Sequence, residues 1–350
     1  MIKLDGSYGE GGGQILRTAL ALSTLTQKSF EMDNIRGGKC DTGIKNQHLH
    51  CIKALKELCS SYTEGAELGS HNIRYDPGKF KSQTLSIDVG TAGSITLMMQ
   101  ALLLPAIFSE KKVKYIIKGG TDVNWSMPFD YFKEVFLPHL AKYADIECKL
   151  LKRGYFPKGA GEVEITIKPK HSFFDKEMPK INLTEQGKLI QVKGVSHASK
   201  DLENAEVAER QASAARHILS GLGCPVRIET EYSDSLSTGS GITLWAVYSK
   251  DENEIDSINP IRIGADSLGE KGKRAEVVGQ EAGERLLEEM KGGAPVDGHL
   301  ADQLIPFLVL NGEKMKVGKI SEHTRTNIYV VEQFLDVKFK IDEENKIISI

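Results

Sequence analysis

The feature that most constrains this chain is an internal repeat. Gly13-Gln14-Ile15, with a long apolar helical pattern behind it, recurs as Gly93-Ser94-Ile95, and Ile35-Arg36-Gly37-Gly38 recurs as Ile117-Lys118-Gly119-Gly120. The two pairs are spaced 80 and 82 residues apart. Self-similarity at a fixed spacing marks one supersecondary unit used more than once. The switch between alternating and helical apolar spacing predicts, in each copy, a strand, a glycine turn, a helix, a strand, a Gly-Gly turn, a second helix and a strand pair. The helices are expected at 14–25 and 44–59 in the first copy and at 94–108 and 129–143 in the second. A third copy is expected near the C-terminus: a helix at about 300–310, a strand at 316–320, a helix at 327–335, and strands near 337–340 and 346–350.

Between the second and third copies the pattern changes. A strand at 189–194, a charged helix at 205–219, and strands near 227–232 and 243–248 read as an inserted smaller α/β domain over 182–274, with a Ser/Gly-rich loop at 234–241. The expected fold class is therefore α/β (α+β). A large domain of three βαβαββ-type units (about 1–81, 82–181 and 275–350) would be interrupted by the insert. The charges at Glu203, Glu206, Glu209 and Arg210 read as a solvated helix face.

Bulk properties exclude several functions. The 350 residues, 40% of them hydrophobic, suffice for one large core or two modest ones. Against 48 acidic residues stand 45 basic ones, a net charge of −3, so any contact with nucleic acid must be local. The longest apolar stretch, 101–108, carries Pro105 and falls well short of the roughly 20 residues of a membrane helix. No leader is read at residues 1–3, and the expected location is cytosolic. Five cysteines (Cys40, Cys51, Cys59, Cys148, Cys224), with no C-x-x-C pair, suit neither a disulfide framework nor a zinc site and read as reduced filler.

Gly9-Glu10-Gly11-Gly12-Gly13-Gln14 joins the first strand to the first helix, where backbone N–H groups and the helix dipole can hold an anion. Gln14 occupies the place of a dinucleotide fingerprint's last glycine, and no Walker motif occurs anywhere. A tight turn needing positive φ explains the glycines equally well. Glu10, a carboxylate among glycines, suits a magnesium-type cation carrying phosphates. Arg17 lies one helical turn beyond Gln14, and Arg36 and Lys39 flank a Gly-Gly turn, a gathering of cations fit for phosphate. Gln47 and His48 follow; His48 reads as a solvated or capping residue. His299-Leu300-Ala301-Asp302-Gln303 opens a helix with polar groups, readable as simple capping. Ser321-Glu322-His323-Thr324-Arg325-Thr326-Asn327 is a denser polar run, with His323 expected in the turn before a helix and Thr326 or Asn327 as its cap. His, Arg and Glu together after a strand favour chemistry.

GEGGGQILR (9–17), EGAELG (64–69), RGYFPKGAGEV (153–163), residues 299–303 and residues 321–335 together resemble the RNA 3′-terminal phosphate cyclase family, in its catalytic, archaeal and eukaryote-like form. The resemblance spans nearly the whole chain. It implies three repeats of the fold seen in the C-terminal domain of a translation initiation factor, with a domain inserted before the third. It also implies an enzyme, a ligase that uses ATP and a divalent cation, Mg or Mn, to convert an RNA 3′-phosphate end into a 2′,3′-cyclic phosphodiester through a histidine–AMP intermediate, releasing diphosphate and AMP. The matching nucleophile is His323. Gln100, His299, Leu300, Ala301, Asp302 and Gln303 would line the nucleotide site, with His299 stacking on adenine. Glu10 would serve the metal, and Arg17, Arg36, Lys39 and Gln47 would face phosphates of ATP or RNA. Two departures stand out: Gly159-Ala160-Gly161 where the family has three glycines, and His299 where it often has tyrosine.

Two other readings share such a fold. One is a non-catalytic ribosome-assembly relative, against which His323 argues; the other is an enolpyruvyl transferase, which would use no adenylated histidine. Oligomerisation stays open.

Overall fold

The computed structural model describes residues 1–173, 175, 177–251, 256–310 and 313–350. It is a mixed α/β structure with four small four-stranded sheets among the described residues. In the first sheet, β1 (Ile2–Asp5), α1 (Gly13–Thr26), β2 (Phe30–Asp33), α2 (Asn46–Cys59), β3 (Tyr62–Glu64) and β4 (Ile73–Asp76) give the spatial order β1-β2-β4-β3. The second is formed by β5 (Thr84–Asp88), α3 (Ile95–Ile107), β6 (Val113–Gly119), α4 (Phe129–Tyr131), α5 (Leu137–Leu140), β7 (Ala144–Lys152) and β8 (Gly161–Pro169), with order β5-β6-β8-β7. In both, the first two strands are parallel and the others antiparallel.

The short strand β9 (Asn182–Leu183) then leads into a different arrangement. β10 (Lys188–Ser199), α6 (Val207–Leu219), β11 (Val226–Ser233), β12 (Ser240–Ser249), β13 (Ile261–Leu268) and α7 (Ala275–Lys291) give a sheet of order β11-β10-β12-β13, with α7 packed on α6, β12 and β13. Finally α8 (Gly298–Leu308), β14 (Lys314–Lys316), α9 (Glu322–Phe334), β15 (Lys340–Asp342) and β16 (Ile347–Ser349) close the chain, and β14 pairs in parallel with the distant β9. The order β9-β14-β16-β15 repeats that of the first two sheets.

Local chemistry explains where these elements depart from the expected ones. The helix expected over 129–143 is broken: α4 and α5 are joined by a π-turn, Phe132–Phe136, immediately before Pro138, whose ring supplies no amide donor. The strand expected at 316–320 lies at Lys314–Lys316. The helix expected at 327–335 begins at Glu322, because Ser321 Oγ caps it by accepting from Thr324 N at 3.0 Å. His323 therefore sits in the first helical turn rather than before it, and Thr326 and Asn327 are buried helical residues, not caps. The strand β13 has no counterpart in the sequence reading, and α7, whose residues are expected to open the third copy, lies against the β11-β10-β12-β13 sheet.

Helices α1 and α3 are buried nearly all round, as core helices are. They pack on each other; α1 also meets α9, and α9 meets α8. These helices bring the N-terminal turn of α9 against that of α1, which places His323 beside Gln14.

Candidate active site

The glycine turn before α1 is shaped by close approach. Gly11 has φ +53°, and a Cβ there would lie 2.3 Å from Gly38 N, so this loop and the 36–39 loop cross where a side chain would not fit. Gly13 leaves room for the His48 ring: a Cβ would come within 2.1 Å of Nε2. The turn reading of the glycines thus holds, and it sets Glu10 at the mouth of a polar cleft.

His323 is held on both sides of its ring. Its Nδ1 contacts Gln14 Oε1, and Gln14 Nε2 donates to the His323 carbonyl at 3.1 Å. That second bond fixes which end of the Gln14 amide faces the ring. An amide oxygen only accepts, so Nδ1 carries a proton. Nε2 points to Glu10 Oε2 at 3.2 Å, and Lys39 Nζ lies 3.5 Å from the same carboxylate oxygen.

A second strand of contacts runs along α1. Arg17 Nε donates to Gln100 Oε1 at 2.7 Å, and Gln100 Nε2 donates to Gln303 Oε1 at 3.0 Å. Arg17 is buried, its Nη1 lies 3.4 Å from His48 Nε2, and it makes no ion pair with a carboxylate among the described residues. Burial, with Arg36 nearby, lowers its pKa to about 10. A buried guanidinium without a counter-charge is costly unless an anion completes it. His48, read as a solvated or capping residue, does cap α2, its Nδ1 accepting from Lys45 N at 3.2 Å, but it is buried and shares this pocket; burial and then Arg17 push its pKa down to about 3, so it is neutral at pH 7. Gln47 Nε2 is buried with no hydrogen-bond partner among the described residues.

Asp302 braces the floor. It accepts from Ser321 Oγ at 2.7 Å and Thr324 Oγ1 at 2.6 Å, while Asn327 Nδ2 donates to its carbonyl at 2.7 Å and Thr18 Oγ1 donates to Asn327 Oδ1 at 2.8 Å. Burial raises the pKa of its carboxyl despite the two hydroxyl donors. Asp297 caps α8, accepting from His299 N at 3.0 Å and Leu300 N at 2.9 Å, and receives Tyr131 OH at 2.5 Å. His299 is exposed, its ring edge-on to Tyr131 at 6.4 Å.

Of the expected site residues, the cleft gathers Glu10, Arg17, Lys39, Gln100, Gln303 and His323, with Asp302 beneath. Leu300 and Ala301 do not join them through side chains, which are in the core; only their backbone could serve a ligand. Arg36, held at φ +59°, donates through Nε and Nη2 to Asp41 O and is tied to its own loop.

A second cluster, centred on a buried arginine, draws its members from two strands, one helix and two loops, and of these only Arg153 and Tyr155 fall in a motif quoted from the sequence. Arg153, 1% exposed, donates to Asp122 Oδ2 at 2.9 Å and Asp130 Oδ2 at 2.7 Å and pairs with Glu231. His197 joins it, with Nε2 3.4 Å from Asp122 Oδ1 and Nδ1 2.9 Å from Tyr155 OH. Asp122, Asp130 and His197 have atoms close enough to share a cation, but Arg153 already occupies the carboxylates. Burial pushes Asp122 up, yet His197 and Arg153 outweigh it and hold it well below the carboxylate range.

Comparison with known proteins accords with this cleft. The chain matches the model of a family described as RNA 3′-terminal phosphate cyclase over residues 8–341. It is 46% identical over 342 residues to the RNA 3′-terminal phosphate cyclase of Pyrococcus furiosus, with 97% of this chain and 95% of the relative covered. Against the enzymes of the same description from Archaeoglobus fulgidus and Saccharolobus islandicus the identities are 42% and 45%, covering 99% of both chains and 97% and 96%, respectively. The class is that of an enzyme, a ligase. The chain belongs to the RNA 3′-terminal phosphate cyclase family. No helix among the described residues is long and apolar enough to cross a membrane.

Proposed function

We propose that this enzyme activates an RNA 3′-phosphate with ATP through a covalent adenylate on His323, and that the neighbouring 2′-hydroxyl then closes a 2′,3′-cyclic phosphodiester. The observation that carries the reading is the held imidazole. With Nδ1 protonated against Gln14 Oε1, a ring that has given its other proton to Glu10 Oε2, 3.2 Å away, keeps its lone pair on Nε2. Nε2 attacks the α-phosphorus, the bond to the bridging oxygen breaks, and diphosphate leaves. The RNA 3′-phosphate oxygen next takes the adenylyl group and returns the imidazole. The 2′-hydroxyl, losing its proton, then displaces AMP. Gln14 holds the ring, while Arg17, Gln47 and Lys39 supply positive or donor groups to phosphate oxygens.

A divalent cation, Mg or Mn, fits one place: Glu10 offers a single half-exposed carboxylate at the cleft mouth, and such ions take one or two carboxylates with the remaining positions filled by phosphate and water. Bound there, it would neutralise phosphate charge. Gln100, Asp302, Gln303 and the backbone at 299–301 would receive the nucleoside, with the His299 ring free to cover adenine.

We also propose that the chain divides into three repeated units and one insert. The common order of three sheets supports this, and the packing of α7 on α6, β12 and β13 favours an end of the insert near 297 over one at 274.

The test is incubation with α-labelled ATP and Mg or Mn, followed by denaturing electrophoresis. The unaltered chain should carry acid-labile, alkali-stable label, and His323→Ala should carry none. A labelled His323→Ala protein would overturn the assignment.

A further inference from the structure

Two large aromatic side chains stand in water on neighbouring loops. Trp125 is 98% exposed and has φ +64°, a conformation that is strained for a bulky residue. Its loop is nevertheless firmly tied: Thr96 Oγ1 donates to Met127 O at 2.6 Å, Ser126 Oγ to Val123 O at 2.8 Å, and Phe129 N to Thr121 O at 3.1 Å. The backbone thus holds the indole outward. Phe156, 73% exposed, projects from the loop between β7 and β8.

Both loops leave the same end of one sheet. Gly119, the last residue of β6, pairs with Gly161, the first of β8, and beyond them Thr121 N donates to Gly154 O and Gly154 N to Thr121 Oγ1, each at 2.9 Å. Lys158, two residues beyond Phe156, is exposed and makes no ion pair among the described residues. Inside the fold this loop is linked to the cleft: the buried Thr96, which holds Met127, lies one turn before Gln100 on α3, and the buried Tyr131, just past the Trp125 loop, meets the exposed His299 ring.

We propose that Trp125 and Phe156 form a stacking platform for unpaired bases of the RNA strand upstream of its 3′-phosphate, with Lys158 facing a backbone phosphate. The proposal rests on RNA as the substrate of the neighbouring cleft. Exposed aromatics with a free cation are what single strands of any sequence bind, because every base has a π-face. In an acidic protein such a platform gains affinity without general electrostatic attraction.

The test uses the full chain and a single-stranded oligoribonucleotide of about eight nucleotides ending in 3′-phosphate. Trp125→Ala and Phe156→Ala should each raise KM for this strand by about 5- to 150-fold, the loss of one base stack. The kcat and self-adenylation by ATP should stay unchanged, and the loss in Trp125→Ala should be the same at about 50 and 200 mM salt, because stacking releases no counterions. The strand should also quench Trp125 emission, distinguishable from that of the buried Trp245 in the Trp125→Ala protein. An unchanged KM for RNA overturns the platform, as does a rise in KM for ATP, which would move the indole to the nucleotide. A change of oligomeric state in Trp125→Ala would give the surface to a second copy and overturn it too. Failure of the unaltered chain to cyclise the strand refutes the substrate reading itself, and the platform falls with it.

Discussion

At the scale of single residues, Arg17 separates function from stability more cleanly than any other position. It is buried, bonded to Gln100 and without a carboxylate partner. Replacing such a charge by an apolar side chain of similar length relieves desolvation. Arg17→Met is therefore expected to keep or raise the unfolding midpoint while slowing self-adenylation by about 10²–10³-fold, the usual cost of one lost transition-state charge contact. Glu10→Ala should slow the same step to a similar degree, about 2–4 kcal/mol, with little change in stability at its half-exposed site. Single-turnover labelling beside thermal melts checks both. Normal adenylation in both variants would return the glycine turn to a purely structural role. Glu10, Arg17 and His323 stand out in the sequence as polar groups near element ends, although a tight turn explains the glycines around Glu10 equally well and the role proposed for His323 comes from the resemblance. His48 does not, since a histidine in a helical pattern looks solvated until Gly13 is seen to open the space it fills.

At the scale of elements, Arg153 works as a rivet. It ties Asp122 and Asp130, which lie between β6 and α5, to Glu231 on β11, three acids that only the folded chain brings together. Removing the guanidinium leaves two buried carboxylates facing each other. Arg153→Met should lower unfolding free energy by about 3–5 kcal/mol, read from the shift of a denaturant midpoint with unchanged slope. A shift under about 1 kcal/mol would show the cluster relaxing or hydrating on its own. The contrast with α1 and α3 shows what a sequence exposes. Those helices are legible because their apolar spacing repeats, whereas the cluster depends on strand register. The early start of α9 depends on one hydroxyl, Ser321, chosen over two equally good capping residues further on. β13, whose core positions Ile261, Ile263 and Ala265 alternate with Arg262 and an interior Gly264, reads weakly as a strand, although here it is fully paired with β12.

At the scale of the whole molecule, net charge limits how RNA is held. With a formal charge of −3, recognition of the proposed RNA substrate is expected to concentrate on the terminal phosphate and a few nucleotides, so about three phosphate contacts at roughly −0.7 each predict a salt slope of about −2. A 3′-hydroxyl strand should be inert. A strand with a 2′-deoxy terminal sugar should accumulate as the RNA–adenylate, and finding none while the enzyme self-adenylates would refute transfer of AMP to the 3′-phosphate. The partnership of Gln14 with His323 across 309 residues also orders events during synthesis. At about 5–20 residues per second, the ribosome makes α1 some 15–60 s before its partner helix α9 exists. Throughout that interval the flank of α1 that will meet α9 is bare, and β9 waits for β14. A nascent or prematurely terminated chain that has made α1 but not α9 therefore lacks His323, and under the mechanism proposed above it is expected to take no label from ATP.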